Sequence, residues 1–474
     1  MSKIAWDDIN WTLVQNRISR QQRRVYKASM EGNKAKVHAI QRRIIASLDA
    51  KLLAVRCVTT ENKKCKTFSI NKVKAISHKE KIELAYKLKI NGKIKHSLLG
   101  IADINDLAKQ MLVKLALEPE WEAIFEPNSY GFRPGRLCHD ATAELFISLR
   151  AKPQYVLKVD TQKCFNMIDH NKLLNKLSTF DLIENQIKAW LKGDIMIDYL
   201  NRPNKVIQAI EGITKEIIIS PLLANIALHG LEYHIKNWYV NRSHKTIRKN
   251  SNLGRKDVMV TIKFFRYADV FIITAPERVD IIEIQKQIAI WLENKVGVEF
   301  SKAKKMIVNS TEGFEFLGFQ IISIKISNRV YKVKIHPSKK SKDILIQRTG
   351  DIIKRNRSIS SFYLINLLKK RIIGWADYFK YFECSEDFSK LDYIIFNQIR
   401  AWVFRRKSKG LKSRAEIKLK YFPEGNSYHF RGRDYRNNWV LVGKSLKEGK
   451  LQENFLPKMA WVKPLHYIQL KRKV

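Results

Sequence analysis

The 474-residue chain carries 89 Lys and Arg against 45 Asp and Glu, a formal net charge of +44 with a pI near 10.0. A surplus of that size opposes compaction unless a polyanion offsets it, which excludes an ordinary small-molecule enzyme as the starting point. With 45% hydrophobic and 28% charged residues the composition is that of a folded protein. No apolar run approaches the ~20 residues of a membrane span, so nucleic acid leads as the partner and a membrane is set aside.

The first residues read as helix. Trp6 to Leu13 has apolar residues at helical spacing, and Ile18 to Leu53 is a basic segment punctuated by Val25, Ile40, Ile44, Ile45 and Leu48. A Lys-rich connector over Thr59 to Lys74 follows, then helices near Lys79–Leu88 and Ala102–Leu117 with a turn at Asn91-Gly92. Tyr155 to Asp160 reads as a buried strand ending in a carboxylate, Ser220 to Leu231 as helix, and Ile262 to Thr274 as a hairpin turning near Ala268-Asp269. From Ser338 onward helical periodicity dominates, through Ile353–Lys370 and Lys390–Arg406. The run from Arg400 to Lys407 interleaves aromatics with cations, chemistry suited to phosphates and stacked bases. The five cysteines form no C-x-x-C pair, so neither a zinc ribbon nor a disulfide framework is expected. The early acids Asp7 and Asp8 argue against a transit peptide.

Two carboxylates at strand and hairpin tips, Asp160 and Asp269, are what a two-metal phosphoryl-transfer site requires, but spacing alone leaves a capping role open. The surrounding words are more specific. Glu118-Pro119-Glu120-Trp121 leading into Asn128-Ser129-Tyr130-Gly131-Phe132-Arg133-Pro134-Gly135-Arg136 resembles the group II intron-encoded reverse transcriptase/maturases. So do Ser220-Pro221-Leu222-Leu223-Ala224-Asn225-Ile226, Gly313-Phe314-Glu315-Phe316-Leu317-Gly318-Phe319, and Ile373-Gly374-Trp375-Ala376-Asp377-Tyr378-Phe379. The resemblance covers nearly the whole chain. It implies an α+β fold: right-hand polymerase-like fingers and palm behind a helical N-terminal extension, followed by an α-helical, thumb-like maturase domain called domain X. The implied boundaries are 1–85 for the extension, 86–337 for fingers and palm, 338–440 for domain X, and 441–474 for a basic C-terminal tail.

The departures from the family pattern decide the expected activity. Active members carry Tyr-Ala-Asp-Asp at the palm hairpin; this chain has Tyr267-Ala268-Asp269-Val270, and valine offers Mg²⁺ no oxygen. The resemblance assigns metal holding to Asp160 and Asp269, and the nucleotide pocket to Phe165, Gly212 and Lys215. The family's Gly-Thr-Pro-Gln-Gly-Gly loop has become Gly212-Ile213-Thr214-Lys215-Glu216-Ile217, which adds bulk where backbone must approach a nucleotide. The arginine of Arg-Pro-Leu-Gly-Ile-Pro has become Ser97. These changes predict loss of polymerisation, leaving a degenerate active site as the enzyme question.

The resemblance then implies a maturase that binds group II intron RNA and promotes folding and splicing, with Mg²⁺ acting through the intron RNA. The alternative is an active RNA-directed DNA polymerase of a mobile intron that tolerates Val270. Expected RNA contacts are Arg133, Arg136, Lys354, Arg355, Arg357, Lys369, Lys370, Arg371, Arg400, Arg405, Arg406, Lys407, Lys409, Lys412 and Arg414. Trp375, Tyr378 and Phe379 are expected in the helix core. No Cys/His endonuclease cluster is found toward Val474, so no DNA cleavage is expected; a DNA target and a homodimer stay open. Family habit and an Ile/Lys/Asn-rich composition favour a plastid over a bacterial cytoplasm.

Overall fold

The structure is a computed structural model that describes residues 5–61, 76–93, 104–161, 168–192, 218–247, 261–300, 304–328, 330–405, 413–447, 450–465 and 467. The chain divides into two compact units, the first drawn mainly from residues up to Asn309 and the second mainly from Ser310 onward.

In the first unit the N-terminal segment is three helices, not one: α1 (Trp11–Met30), α2 (Lys34–Ala46) and α3 (Leu48–Arg56). Trp6 lies ahead of the helix, because Asn10 caps α1 by accepting from the Leu13 amide at 3.1 Å. Gly32 has a φ of 69°, a left-handed turn that glycine makes without strain, and Asn33 then caps α2. Helices α4 (His78–Lys87), opened by a Ser77/Glu80 capping box, and α5 (Ile104–Glu122) complete this layer; α1, α2 and α3 all pack on α5. Helix α6 (Cys138–Leu149) begins in this unit and passes at Thr142 into the second; β1 (Tyr155–Asp160), α7 (His170–Leu177), α8 (Asp181–Lys192), α9 (Ser220–Leu228) and α10 (Leu231–Ile247) then follow in the first. The hairpin β2 (Lys263–Tyr267) and β3 (Val270–Ala275), α11 (Arg278–Trp291) and β4 (Lys304–Asn309) close the unit.

The sheet is antiparallel in the order β2-β3-β1-β4. Its central strands are almost wholly apolar, with Val156, Leu157, Val159, Phe271, Ile272 and Ile273 all fully buried. That places Asp160 and the β2–β3 turn together at one end of the sheet, with Asp160 in register with Val270 on one side and Lys304 on the other.

The second unit begins with a three-stranded sheet, β5 (Phe314–Phe316), β6 (Phe319–Ser327) and β7 (Val330–Pro337). Four helices follow: α12 (Lys339–Arg355), α13 (Ser361–Phe379), α14 (Ser385–Phe404) and α15 (Arg414–Tyr421). The expected continuous helix over 353–370 is interrupted at 356–360, where Ser360 caps α13. Trp375, Tyr378 and Phe379 are buried as expected, and the Tyr378 hydroxyl donates to the Leu317 carbonyl at 2.9 Å. Lys342–Asp387, Thr349–Gln398 and Asn356–Trp402 meet in that order, so α12 and α14 run side by side in the same direction.

The stretch expected to be a basic tail is folded. Beyond the hairpin β8 (Ser427–Phe430) and β9 (Arg433–Arg436), residues 442–447 and 450–455 form the antiparallel pair β10 (Val442–Lys447) and β11 (Lys450–Phe455) against α13. The tail reading missed this because the strands Val442–Lys447 and Lys450–Phe455 are mostly polar or charged and carry no apolar run. Asp392 then anchors the following turn by accepting from the Met459 and Ala460 amides, both at 2.9 Å.

Cations occupy the last turn of α1 (Lys27), α2 (Arg43), α3 (Arg56), α4 (Lys87), α7 (Lys176), α8 (Lys192) and α12 (Lys354, Arg355). No helix among the described residues is long and apolar enough to cross a membrane.

Gly443 of β10 lies so close to α13 that an added Cβ would collide with the Phe362 amide nitrogen and sit 2.6 Å from its Cα. Gly443→Ala is expected to destabilise the second unit by about 1–3 kcal/mol, read as a lower denaturant midpoint. An unchanged midpoint would mean that the hairpin does not dock on α13 in solution.

Candidate active site and nucleic-acid interface

The palm hairpin is held by main-chain bonds to the Asn128–Gly131 segment. The Arg266 amide donates to the Asn128 carbonyl at 2.9 Å, and the Tyr130 amide donates to the Arg266 carbonyl at 2.8 Å. A third motif closes the lock: the Asn225 side chain in α9 donates to the Gly131 carbonyl at 2.8 Å and accepts from the Arg266 guanidinium at 2.8 Å. Gly131 has no room for a side chain, since a Cβ there would collide with the Ala268 amide nitrogen. The three sequence words that looked most distinctive are therefore three faces of one packing joint.

Beneath the joint lies a buried polar network. Arg266 is almost completely buried, which lowers its pKa to about 10, with Glu126 opposing that shift. Glu126 accepts from the Gly230 amide at 2.5 Å and lies 2.8 Å from the His229 ring; although burial raises its pKa, the hydrogen bond and charge of His229, with Arg266, hold it below the usual carboxylate range. Lys176 donates to the carbonyls of Ala227 and His229 at the end of α9, and its burial brings its pKa down to about 8. A buried cation without partners costs several kcal/mol, so these contacts are what make the burial tolerable.

Arg133 belongs to this scaffold, and its expected role as an RNA contact is corrected. Its side chain is 3% exposed, binds Glu122 with nitrogen–oxygen distances of 2.9–3.0 Å, and donates to the Glu126 and Ser129 carbonyls. The sequence offered a clue, an acid eleven residues earlier on a helix, but no way to choose it over solvent. Arg136 is half-buried, lies over the Tyr130 ring at 5.5 Å and donates to the Pro127 carbonyl.

At the sheet end, Asp269 is buried in the turn after Ala268, whose φ is 56°. The Asp269 carbonyl accepts from both the amide and the hydroxyl of Thr161, the residue after Asp160, at 3.0 and 2.8 Å. The two carboxylate residues therefore share one edge, and the position of the family's further acid is filled by Val270 directly across from Asp160. Among the described residues no group of three or more His, Cys, Asp or Glu side chains is placed to hold a metal ion. Tyr267 is driven well above its ordinary pKa by burial, so its phenol stays neutral. Phe165, Gly212 and Lys215 lie outside the described residues, as do Arg406, Lys407, Lys409 and Lys412.

The second unit presents its cations together. Because α12 and α14 are parallel, Lys354, Arg355 and Arg357 gather at the same end as Arg400 and Arg405, and Arg414 lies over Phe404 at 5.6 Å. None of these six has an acidic partner among the described residues. The lysines near the other end of these helices do: Lys342 pairs with Asp387 at 2.9 Å and Lys390 with Glu386 at 2.5 Å. Trp402 of the 400–407 run does not serve base stacking as expected: it is buried and donates to the Asn356 carbonyl, because two residues on from the exposed Arg400 it lies on the opposite face of α14. Lys369 lies over the Phe455 ring at 5.2 Å, Lys370 is exposed, and Arg371 is half-buried.

Comparison with known proteins matches this architecture. The family described as "Reverse transcriptase (RNA-dependent DNA polymerase)" matches residues 88–321, "N-terminal domain of reverse transcriptase" matches 6–88, and "Group II intron, maturase-specific domain" matches 343–422. The chain belongs to the group II intron-encoded reverse transcriptase/maturase family. Its fold is a reverse transcriptase domain of mixed helix and strand with a helical maturase-specific domain. "Group II intron-encoded protein LtrA" of Lactococcus lactis is 27% identical over 291 residues, covering 51% of this chain and 47% of the relative. "Maturase-like protein 1" of Euglena longa is 23% identical over 466 residues, covering 93% of this chain and 91% of that one; its Euglena gracilis counterpart is 24% identical over 397 residues, covering 79% and 76%. The chain spans about half the length of the LtrA relative it matches.

Two outcomes are expected from the buried network. Gly131→Ala should destabilise the first unit by about 1–3 kcal/mol or prevent its folding, measured by denaturant titration, whereas Gly135→Ala, which meets nothing within 4 Å but must hold a φ of 69°, should cost about 1 kcal/mol of backbone strain and still fold. For Lys176, the folded-state pKa near 8 is below the ordinary 10.5, so the unfolded chain binds more protons between these values. Stability contributed through Lys176 should rise as pH goes from about 8 to 10.5, by at most about 1.4 kcal/mol per unit, and Lys176→Met should flatten that component of the melting profile.

Proposed function

We propose that this protein is a maturase: it binds its host group II intron RNA, holds the ribozyme in its active fold, and no longer copies RNA into DNA. The observation that carries the binding half is the basic end of the maturase-specific domain, at Lys354, Arg355, Arg357, Arg400, Arg405 and Arg414, which has no acidic partner among the described residues. Cations held close together without acids are costly on their own and are offset when phosphates neutralise them. Splicing chemistry belongs to the RNA and its Mg²⁺, and the protein contributes by binding the active fold more tightly than its competitors.

Val270 supports the loss of polymerisation. A carboxylate at that position would face Asp160 across the β1–β3 ladder and supply both an oxygen and a charge; valine supplies neither. Asp160 and Asp269 remain side by side, a donor pair that suits a Mg²⁺ whose remaining ligands are phosphate oxygens and water. That retained pair is the observation favouring the second reading, an active polymerase. The packing joint beneath it serves either reading, because it shapes the surface whether or not a nucleotide is added. The Euglena relatives that match along most of the chain, together with its Ile- and Lys-rich composition, support a plastid setting.

Adding the purified protein to a transcript of its host intron is expected to lower the Mg²⁺ needed for splicing, while primer extension on a homopolymer template yields no product with Mg²⁺ or Mn²⁺. Splicing that is indifferent to the protein would overturn the maturase reading. Robust extension by the native chain would overturn the loss of polymerisation.

A further inference from the structure

Helix α11 is apolar on two sides. Ile281, Ile284, Ile288 and Trp291 are buried, and the helix packs on β1, β3 and α10. On the far side, among the described residues, Val279 is 62% exposed, Ile282 39% and Ile290 48%. With Glu283 and Lys286 they recur every three or four residues, so all five share one face of the helix. Valine and isoleucine are only moderate helix formers, and their exposure brings no burial inside the unit to offset that cost. An aligned apolar strip of this kind marks an interaction surface, unlike single exposed side chains scattered over a protein.

The charge around the strip says which partner suits it. Helix α1 carries Arg17, Arg20, Arg23, Arg24 and Lys27 and no acid, an arrangement made for a polyanion. Helix α11 instead balances Arg278 and Lys286 against Asp280 and Glu283, within a chain of net charge +44. Asp280 is taken up by the Tyr239 hydroxyl of α10 at 2.9 Å, and exposed Glu277 and Glu293 flank the helix. Such a face offers phosphates little, and two strongly positive copies can approach across it without cation facing cation.

The order of residues is also self-complementary. About a midpoint between Ile284 and Gln285, Val279 mirrors Ile290 and Glu283 mirrors Lys286. Two copies of α11 laid antiparallel across a two-fold axis therefore bring valine to isoleucine at each end and acid to lysine at the centre. Within one chain Glu283 and Lys286 already pair at 2.9 Å, and across the axis the two pairs join into a ring of alternating charges.

We propose that the Val279–Ile282–Glu283–Lys286–Ile290 face of α11 is the surface through which two copies of this chain associate. The helix has 14 residues, about 21 Å of length, so the contact is small and the association transient. It is independent of the RNA-binding reading and carries the opposite salt dependence.

The test is sedimentation velocity on the full chain without nucleic acid. Raising salt from about 0.05 to 0.5 M should strengthen self-association, because screening relieves the repulsion between copies. Glu283→Lys and Lys286→Glu, both surface changes, should each weaken it by about tenfold, since like charges then meet across the axis. Mixed in equal amounts, the two variants should associate again, with the lysines of one copy facing the acids of the other. Each variant keeps a like-charged pair within its own helix, so recovery on mixing reports the contact between copies and not repair of the helix. Replacing Val279 and Ile290 together by lysine should leave only monomer with an unchanged melting temperature. A native chain that stays monomeric across the salt range would overturn the proposal, as would single variants that associate like the native chain. A mixture of the two variants that remains monomeric would overturn the two-fold pairing, and a strip that instead joins a different protein would assign the face elsewhere and overturn it as well.

Discussion

The first unit depends on burying one guanidinium. Arg266 immediately precedes the tip of the palm hairpin, and its side chain can leave water only because Asn225, the Ala268 carbonyl and the nearby charge of Glu126 receive it. Glu126 in turn needs His229 and the Gly230 amide. Arg133 reaches the Glu126 and Ser129 carbonyls from the other side. These residues are spread over several elements, so the placement of α9, the Asn128–Arg136 segment and the β2–β3 hairpin is set jointly. Removing one partner leaves a buried charge without compensation, which is why such networks tolerate little change.

The site and its scaffold have separate requirements. Metal chemistry at the sheet end needs oxygen ligands, which Val270 does not provide. The joint beneath needs Gly131, Asn225 and Arg266 to keep the hairpin in place, and all three are present. Loss of one requirement does not relax the other, because the joint also shapes the surface of the first unit. A protein recruited to hold RNA would keep the second while the first decays.

Much of this was legible in the sequence, in unequal measure. The β1 strand and the palm hairpin follow from short, nearly continuous apolar runs, and the helices of the second unit from burial that repeats every three to four residues. Cap chemistry was less visible: Asn10, Asn33 and Ser360 divide what reads as continuous helix, and a polar residue in a basic run looks much like its neighbours. The β10–β11 pair was missed because its charged, partly exposed strands lack a run of buried residues. Arg133 and Trp402 were misjudged for a common reason. Whether a cation or an aromatic faces solvent depends on partners distant in sequence, here Glu122 and Asn356.

The cations at helix ends have a consequence for how the chain carries its own charge. Carbonyl groups at a helix C-terminus carry a partial negative charge, and a lysine or arginine in the last turn interacts favourably with it. Among the described residues eight helices end this way, from Lys27 in α1 to Lys418 and Lys420 in α15. Part of the mutual repulsion in a chain of net charge +44 is thus absorbed by its own backbone. The surplus that remains lies at the surface, where counterions screen it before any partner is bound.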